Sequence, residues 1–526
     1  MTDVATLADR RPVPREPHRH GSALRLASGR LLRLELRRSP MLLMIPVGVF
    51  LFWFDTYRSS MMLDPTWGSQ TLLLRQGSAL EDFAPFVAGF AAWTGARDGR
   101  RRTAEQIGVT ALPRWAARLS SWAAATFWVV LAHGFCLAAL YMSIDSHVTG
   151  GSAPWWPVIV DLTGLIAMSA IGFALGVMLP SRFTAPLVAI VVFMILTVTR
   201  TAPGKYAMLS PAVSPMYSLS PAKADAGVFY PYGSDLPKVQ VFFWVGLAVL
   251  ALGTLGVSAV CGGRLARLGA AVTAAAGVAL AATAVGLVGT ATVVDGRVTI
   301  AAVHDSSQDV PISYTPSCSG SAAIPVCVNP AYQDYLPSIA AGLAPLLDAV
   351  AGLPGAPVRA NQVPSVTDSL PVVASVTGSP ATLDLSLSVG DQGLMWISPS
   401  GPPSSVTMPC CSSRTLWSSS ELIGLEIKPL VGVAVVKSMV GLSDDAQQAV
   451  SLGLLESGGV PASEFVSRDG QFPDANVQIL EKVLPGTPTY EAAQRFAAMS
   501  AQARHAWLVA HLDLLRAGRL TLADLP

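Results

Sequence analysis

Two ionisable residues lie inside long apolar runs of the kind that cross membranes. His133 is near the middle of one run, and Asp161 is about one helical turn from the end of the next. A charge at such a depth is costly, and ionisable residues there often serve ion or proton paths. The sequence therefore predicts an intramembrane polar site at His133 and Asp161. For Asp161, hydration from the membrane surface is the competing interpretation.

Cysteines suggest a second chemistry, that of an oxidising compartment. Cys318, Cys327, Cys410 and Cys411 all lie in the last part of the chain, and four cysteines allow three pairings. We favour a disulfide between Cys318 and Cys327 because the intervening SGSAAIPV is loop-like, and we leave the pairing of Cys410 and Cys411 open. The alternative is a zinc site, but the nearest histidine, His304, has no partner at ligand spacing.

Sequence signatures of catalysis are missing. No G-x-x-x-x-G-K-[ST] phosphate loop occurs, so an ATPase would have to be a separate chain. Neither H-E-x-x-H nor G-x-S-x-G occurs, and a membrane peptidase has little support. His505 and His511 are not at the four-residue spacing that puts two metal ligands on one helix face. The sequence predicts no enzyme, no metal and no cofactor in this chain.

Composition indicates a membrane protein with two unlike parts. The 526 residues are 51% hydrophobic and only 13% charged, with a mean hydropathy of +0.48. The net charge of +1 hides a division, because arginine dominates before Ala291 and acidic residues outnumber basic ones after it. The arginines flank apolar runs and accompany no base-reading features, so nucleic-acid binding is a poor explanation for the basic half.

Seven apolar runs are predicted to be transmembrane helices. They cover residues 41–54, 83–96, 122–142, 156–179, 183–199, 239–260 and 269–291. The second run is short, because 14 residues at a rise of 1.5 Å give about 21 Å against a hydrocarbon core of about 30 Å. With residues 1–21 as a disordered cytoplasmic tail, seven spans place residues 292–526 outside the cell.

A basic segment at residues 96–119 sets this orientation, because lysine and arginine favour cytoplasmic loops. The arginines of this segment are Arg97, Arg100, Arg101, Arg102, Arg114 and Arg118. Thr103 and Gln106 form a capping box, which predicts a short interfacial helix over 103–112. Residues 22–38 alternate leucine with arginine and predict another helix in the headgroup region.

Residues 89–119, GFAAWTGARDGRRRTAEQIGVTALPRWAARL, resemble the loop after the second span of type-2 ABC exporter permeases from high-GC actinobacteria. There, a small-residue span ends in a basic cluster followed by T-x-E and P-R, and the loop is a coupling helix that touches the ATPase subunit. The resemblance implies a connecting helix at 22–38. It also implies ATPase contacts at Arg101, Arg102, Thr103, Glu105, Gln106 and Arg114. The alternatives are a solvated basic loop and a simple surface anchor.

The part after the seventh run has mixed patterning. Alternation predicts strands at 297–303, 358–363 and 381–389, and helical periodicity appears at 331–351, 444–456, 476–483 and 489–515. Residues 430–440 are apolar but too short to span a membrane, so they are predicted to be a buried element.

The predicted fold is a membrane all-α helical bundle of about six transmembrane helices (residues 22–267) plus a seventh anchor (268–291), followed by an extracytoplasmic α+β domain (292–526). The predicted protein is a multi-pass plasma-membrane permease subunit of an ABC exporter, working as a dimer or heterodimer in membrane lipid. The alternative is a membrane-anchored extracytoplasmic sensor or binding protein.

Overall fold

The structure is a computed structural model. It describes residues 29–43, 45–56, 70–100, 114–145, 152–201, 204–211, 227–259, 264–294, 297–320, 323–364, 372–387, 405–406, 414–415, 428–461, 479–480 and 482–526. The helices of the first part are α1 (29–38), α2 (Ile45–Thr56), α3 (Gln70–Gly95), α4 (Arg97–Arg100), α5 (Arg114–Asp145), α6 (Trp155–Met178), α7 (Thr184–Thr201), α8 (Asp235–Ala259) and α9 (Arg264–Gly289).

Four of these helices, α5, α6, α8 and α9, are long and apolar enough to cross a membrane. They correspond to the predicted third, fourth, sixth and seventh spans, of which the last three were predicted to end one or two residues later than the helices do. Residues 29–43 and 45–53 would together count as a fifth span, bent by 46°. The chain therefore carries several helices of membrane-spanning length and composition.

The other predicted spans lie on helices of different length from the apolar runs. The first falls on the 12-residue α2 and the fifth on the 18-residue α7. The second run, predicted to begin at Phe83, is the last half of the 26-residue α3, which begins at Gln70. The apolar run did not predict this helix start, because Glu81 and Asp82 interrupt the run. The count of seven spans stays a prediction.

Small residues bring α3 and α6 into close contact. A Cβ atom at Gly172 would overlap the carbonyl oxygen of Ala88, and one at Gly176 would overlap that of Ala92. The G-x-x-x-G pair thus packs α6 against α3 within this chain, in the manner of small-residue interfaces between membrane helices. These two helices, with α5, α7 and α8, enclose one apolar core.

Close contacts at glycine also pack α9 against α8. Gly253 of α8 lies against Ala274 of α9, and Gly277 of α9 lies against Leu250 of α8. Most other positions on α9 are exposed, as expected for a helix at the edge of a bundle.

The arginine-rich ends of the helices meet at one end of the bundle. Arg118, near the start of α5, donates to Ser258 at the end of α8, with Nη1 and Oγ 3.4 Å apart. Gly99 of α4 lies against Pro180 in the turn between α6 and α7. We call this the basic end. Arg97, Arg100, Arg114, Arg118, Arg182 and Arg264 belong to it.

The C-terminal region contains a five-stranded mixed sheet, whose strands are β3 (Ser317–Cys318), β4 (Val326–Val328), β5 (Arg359–Val363), β6 (Val372–Thr377) and β7 (Thr382–Leu387). Their order in the sheet is β3-β4-β5-β7-β6. Pairs β4–β5 and β5–β7 are parallel, and β3–β4 and β6–β7 are antiparallel. Two-residue strands β8 (Ser405–Val406) and β9 (Arg414–Thr415) form a separate pair. The predicted strands at 358–363 and 381–389 correspond to β5 and β7.

Helices α10 (Leu336–Val350), α11 (Lys428–Met439), α12 (Asp445–Ser457), α13 (Pro488–Ala498) and α14 (Ala501–Arg516) pack with this sheet around one core. Helix α11 is the predicted buried apolar element. Two predictions need correction. The helix expected over 489–515 is broken, because Ser500 caps a new helix by accepting from the Ala503 amide. The strand expected over 297–303 ends at Thr299. Half of the residues of the helix predicted at 476–483 lie outside the described residues.

A short hairpin joins the bundle to the C-terminal region. Strands β1 (Thr292–Val294) and β2 (Arg297–Thr299) follow α9 directly and pair antiparallel. Ile300 then donates its amide to Oδ2 of Asp235, the first residue of α8, at 3.0 Å. The strand ends at Thr299, and this hydrogen bond holds Ile300 against the start of α8. The C-terminal region therefore rests on the end of the bundle opposite the basic end.

Candidate functional site

The two ionisable residues that the sequence singled out separately form a pair. Nε2 of His133 on α5 lies 3.9 Å from Oδ2 of Asp161 on α6, and the side chains are only 1% and 4% exposed. Asp161 is thus enclosed by the protein, contrary to the hydration interpretation. The separation is longer than a hydrogen bond but within the range of an ion pair.

Aromatic rings enclose the imidazole of His133. The ring of Phe83 stacks on it at 5.3 Å between centroids, and that of Phe52 meets it edge-on at 5.6 Å. Neither ring nitrogen of His133 has a hydrogen-bond partner within the described part of the chain. Ionisable side chains buried among apolar helices are costly unless they face a partner of opposite charge. His133 and Asp161 therefore form one buried polar site.

A further buried carboxylate belongs to α3. Glu81 is 8% exposed and accepts a hydrogen bond from the Thr197 hydroxyl of α7 at 2.6 Å. Sequence reasoning missed this contact because it placed Glu81 in the loop before the second span. The possible signal was the shortness of that span, which left room for an earlier helix start.

At the basic end, α1 is attached to both α3 and α5. Arg97, just after α3, donates from Nη2 to Oε1 and from Nη1 to Oε2 of Glu35 on α1, at 3.0 and 3.4 Å. Trp128 of α5 donates its indole N–H to the carbonyl oxygen of Leu36 at 2.9 Å. A bidentate guanidinium–carboxylate pair fixes orientation as well as distance. Helix α1 therefore bridges the two helices that the basic segment connects.

The predicted ATPase-contact residues mostly lie outside the described residues. This applies to Arg101, Arg102, Thr103, Glu105 and Gln106, and to the predicted helix at 103–112. Arg114 is described, and it is the first residue of α5 rather than part of a loop.

Cys318 and Cys327 are joined as a disulfide, as predicted. They sit directly opposite each other on the antiparallel strands β3 and β4. Cys410 and Cys411 lie outside the described residues. Among the residues described, no group of three or more histidine, cysteine, aspartate or glutamate side chains is arranged to hold a metal.

His304 has two carboxylate partners, which sequence spacing did not reveal. Its Nδ1 lies 2.9 Å from Oδ2 of Asp235, and its Nε2 lies 2.9 Å from Oδ2 of Asp309. Both hydrogen bonds raise the pKa of His304 above its ordinary value, and the bond with Asp309 has the larger effect. The imidazolium form therefore ties the residues after the β1–β2 hairpin to the first turn of α8.

Comparisons with known protein families, with curated proteins and with solved structures find no match to this chain.

Proposed function

We propose that this chain is the membrane-spanning permease subunit of an ABC-type exporter, whose transport is driven by a separate ATPase chain. The observation that carries the proposal is the Glu35–Arg97 pair together with the Trp128–Leu36 bond. These contacts tie the first interfacial helix to the start of the basic segment at Arg97, and to α5, the helix that continues from its end. The family resemblance expects the ATPase to dock at this segment.

The packing supplies a route from that segment to the polar pair. A push on the basic segment would act on α3 and α5, the helices that flank it. Helix α3 is packed tightly on α6 through Gly172 and Gly176, whereas α5 carries His133. Motion of α5 relative to α3 and α6 would therefore change the distance between His133 and Asp161. Packed helices shift in this way between discrete arrangements rather than deforming smoothly.

Two independent signals support the proposed orientation. Arginine collects at the basic end, as is typical of a cytoplasmic face. The disulfide lies in the C-terminal region at the opposite end, as is typical of an oxidising compartment. In the proposed arrangement two permease chains, identical or different, sit in membrane lipid, and ATP binds only to the partner ATPase.

Affinity purification from the native host tests this function. After gentle detergent extraction, the tagged chain should bring down a nucleotide-binding protein, and the chain alone should show no ATPase activity. The alternative is a membrane-anchored sensor, in which the spans only hold the C-terminal region. Recovery of a clean homo-oligomer without any nucleotide-binding chain, under several extraction conditions, would favour the sensor.

A further inference from the structure

A large apolar groove runs along α7. It has a volume of about 640 Å³ and is walled by α6, α7, α8, α9 and the 3-10 helix Lys205–Leu209. This volume falls in the range of about 300–1,000 Å³ that is usual for small-molecule sites. The groove wall includes Leu187, Val191, Ile195, Phe243, Leu247 and Val285.

The groove opens on the lipid-facing side of the bundle. Val188, Val192 and Leu196 of α7 line the floor of the groove and belong to the bundle core. Leu187 and Ile195, which line the same groove, are 60% and 52% exposed. In a chain whose helices cross a membrane, so apolar a surface faces hydrocarbon. The groove is therefore continuous with the acyl-chain region of the bilayer.

One end of the groove is polar. The Oγ of Ser210 is buried, and it has no hydrogen-bond partner among the described residues, although Ser210 is only 6% exposed. The exposed Tyr206 lines the same end. The neighbouring Lys205 is also exposed and donates from Nζ to the carbonyl oxygen of Gly289 at 2.6 Å. Two hydroxyl groups thus line this end of the groove, and the cation of Lys205 is adjacent to Tyr206 in the chain.

We propose that this groove binds a phosphate-bearing membrane lipid, with a hydrocarbon chain along α7 and the headgroup at Lys205, Tyr206 and Ser210. A second copy of this chain is a poorer occupant. The backbone of a transmembrane helix satisfies its own hydrogen bonds and offers nothing to the buried Ser210 hydroxyl. Lipid phosphate oxygens accept hydrogen bonds and complement the charge of Lys205. That this lipid is the exported cargo rests on the proposed function.

Photolabelling tests the binding site directly. The full-length protein is reconstituted in phosphatidylcholine vesicles that contain a phosphatidylglycerol probe with a diazirine on its acyl chain. Peptide mapping should place the label on α7 and α8. Ile195→Trp fills the groove with a larger side chain and should lower labelling there about tenfold, which corresponds to about 1.4 kcal/mol of binding free energy. Ile190→Trp is the matched control, because Ile190 is 60% exposed on α7 but outside the groove, and its labelling should match the wild type.

A second probe separates headgroup from chain recognition. A diazirine diacylglycerol, which lacks phosphate, should label the groove less than the phospholipid probe. Lys205→Gln should remove this preference while leaving labelling by the diacylglycerol unchanged. Equal labelling of Ile195→Trp and wild type would overturn the lipid site. If Ile195→Trp changes the oligomeric state but not the labelling, the lipid site is also overturned, and the groove is assigned to a second copy of the chain.

The cargo role has its own readout. With the ATPase partner present, phosphatidylglycerol should stimulate ATP hydrolysis in the wild type and the Ile190→Trp variant but not in Ile195→Trp. Groove labelling, combined with recovery of no ATPase in the affinity purification, would overturn the permease function and leave the lipid site standing. An associated ATPase that responds equally in all three proteins would overturn the cargo role and leave the permease function standing.

Discussion

The imidazole of His133 and the carboxylate of Asp161 lie 3.9 Å apart, Nε2 to Oδ2, between α5 and α6. Each residue alone would be an expensive charge among apolar helices. Together they form one buried polar site, and the rings of Phe52 and Phe83 pack against its imidazole. This relationship motivates the first prediction.

Removing one partner of the pair should damage the protein more than removing both. Asp161→Leu leaves a buried imidazole without its counter-charge, and breaking such a pair typically costs about 3–5 kcal/mol of folding stability, whereas an apolar replacement of both residues is often neutral. The double variant His133→Leu/Asp161→Leu should therefore accumulate in the membrane and melt near the wild-type temperature, but transport should be lost. Wild-type ATP-dependent transport in the double variant would show that the pair only holds the helices together.

Charge reversal should test the contact between α1 and the basic segment. Glu35→Arg and Arg97→Glu each place like charges together, and both should weaken coupling between ATP hydrolysis and transport. The double variant restores opposite charges and should recover coupling. This is measured as ATP hydrolysed per substrate moved, at equal membrane abundance. Arg30→Glu, on an exposed site of the same helix, is the control and should have no effect.

If both single variants are impaired and the double variant does not recover coupling, the two residues act independently. The defect would then come from each site independently and not from their pairing.

Labelling of single cysteines in intact cells should report the orientation. A membrane-impermeant maleimide should modify a cysteine at exposed Asp348 of α10. Arg30 of α1 and Arg182 between α6 and α7 should react only after permeabilisation. Neighbouring Val350 is an unsuitable position because it is fully buried. If a cysteine at position 348 is not labelled in intact cells, the proposed topology is wrong.

The junction between α8 and the C-terminal region should loosen as the pH rises. The bonds to Asp309 and Asp235 raise the pKa of His304, so the stabilisation is complete below its ordinary value of about 6.5. The stabilisation is lost as the pH rises through the raised value. The nearby carboxylate of Asp305 has a lowered pKa, because the amide and hydroxyl of Ser307 donate to it, and it stays charged in this range beside Lys238.

Hydrogen exchange of residues 297–309, corrected for the intrinsic effect of pH, should therefore be faster at about pH 8.5 than at about pH 6. His304→Gln should remove this difference, whereas His505→Gln, at an exposed position of α14, should preserve it. A pH dependence that survives His304→Gln would assign the effect to another group.

Local features of the sequence were sufficient for several elements. The predicted helix at 444–456 corresponds to α12. Its start is marked locally, because Asp444 is the N-cap and accepts a hydrogen bond from the Gln447 amide at 2.8 Å. The disulfide between Cys318 and Cys327 followed from the short loop between them. Apolar runs long enough to span a membrane identified α5, α6, α8 and α9, because hydropathy depends only on neighbouring residues.

The partners of the polar residues were decided by the tertiary structure. Sequence marked His133 and Asp161 as unusual, but it did not show that they meet. It gave no sign that Glu35 would reach Arg97, or Asp235 would reach His304. Hydrophobic periodicity shows which residues avoid water but not which faces of two helices come together. Small-residue contacts, such as Gly172 against Ala88, fix the rotation and depth of each helix, and only then do distant side chains acquire neighbours.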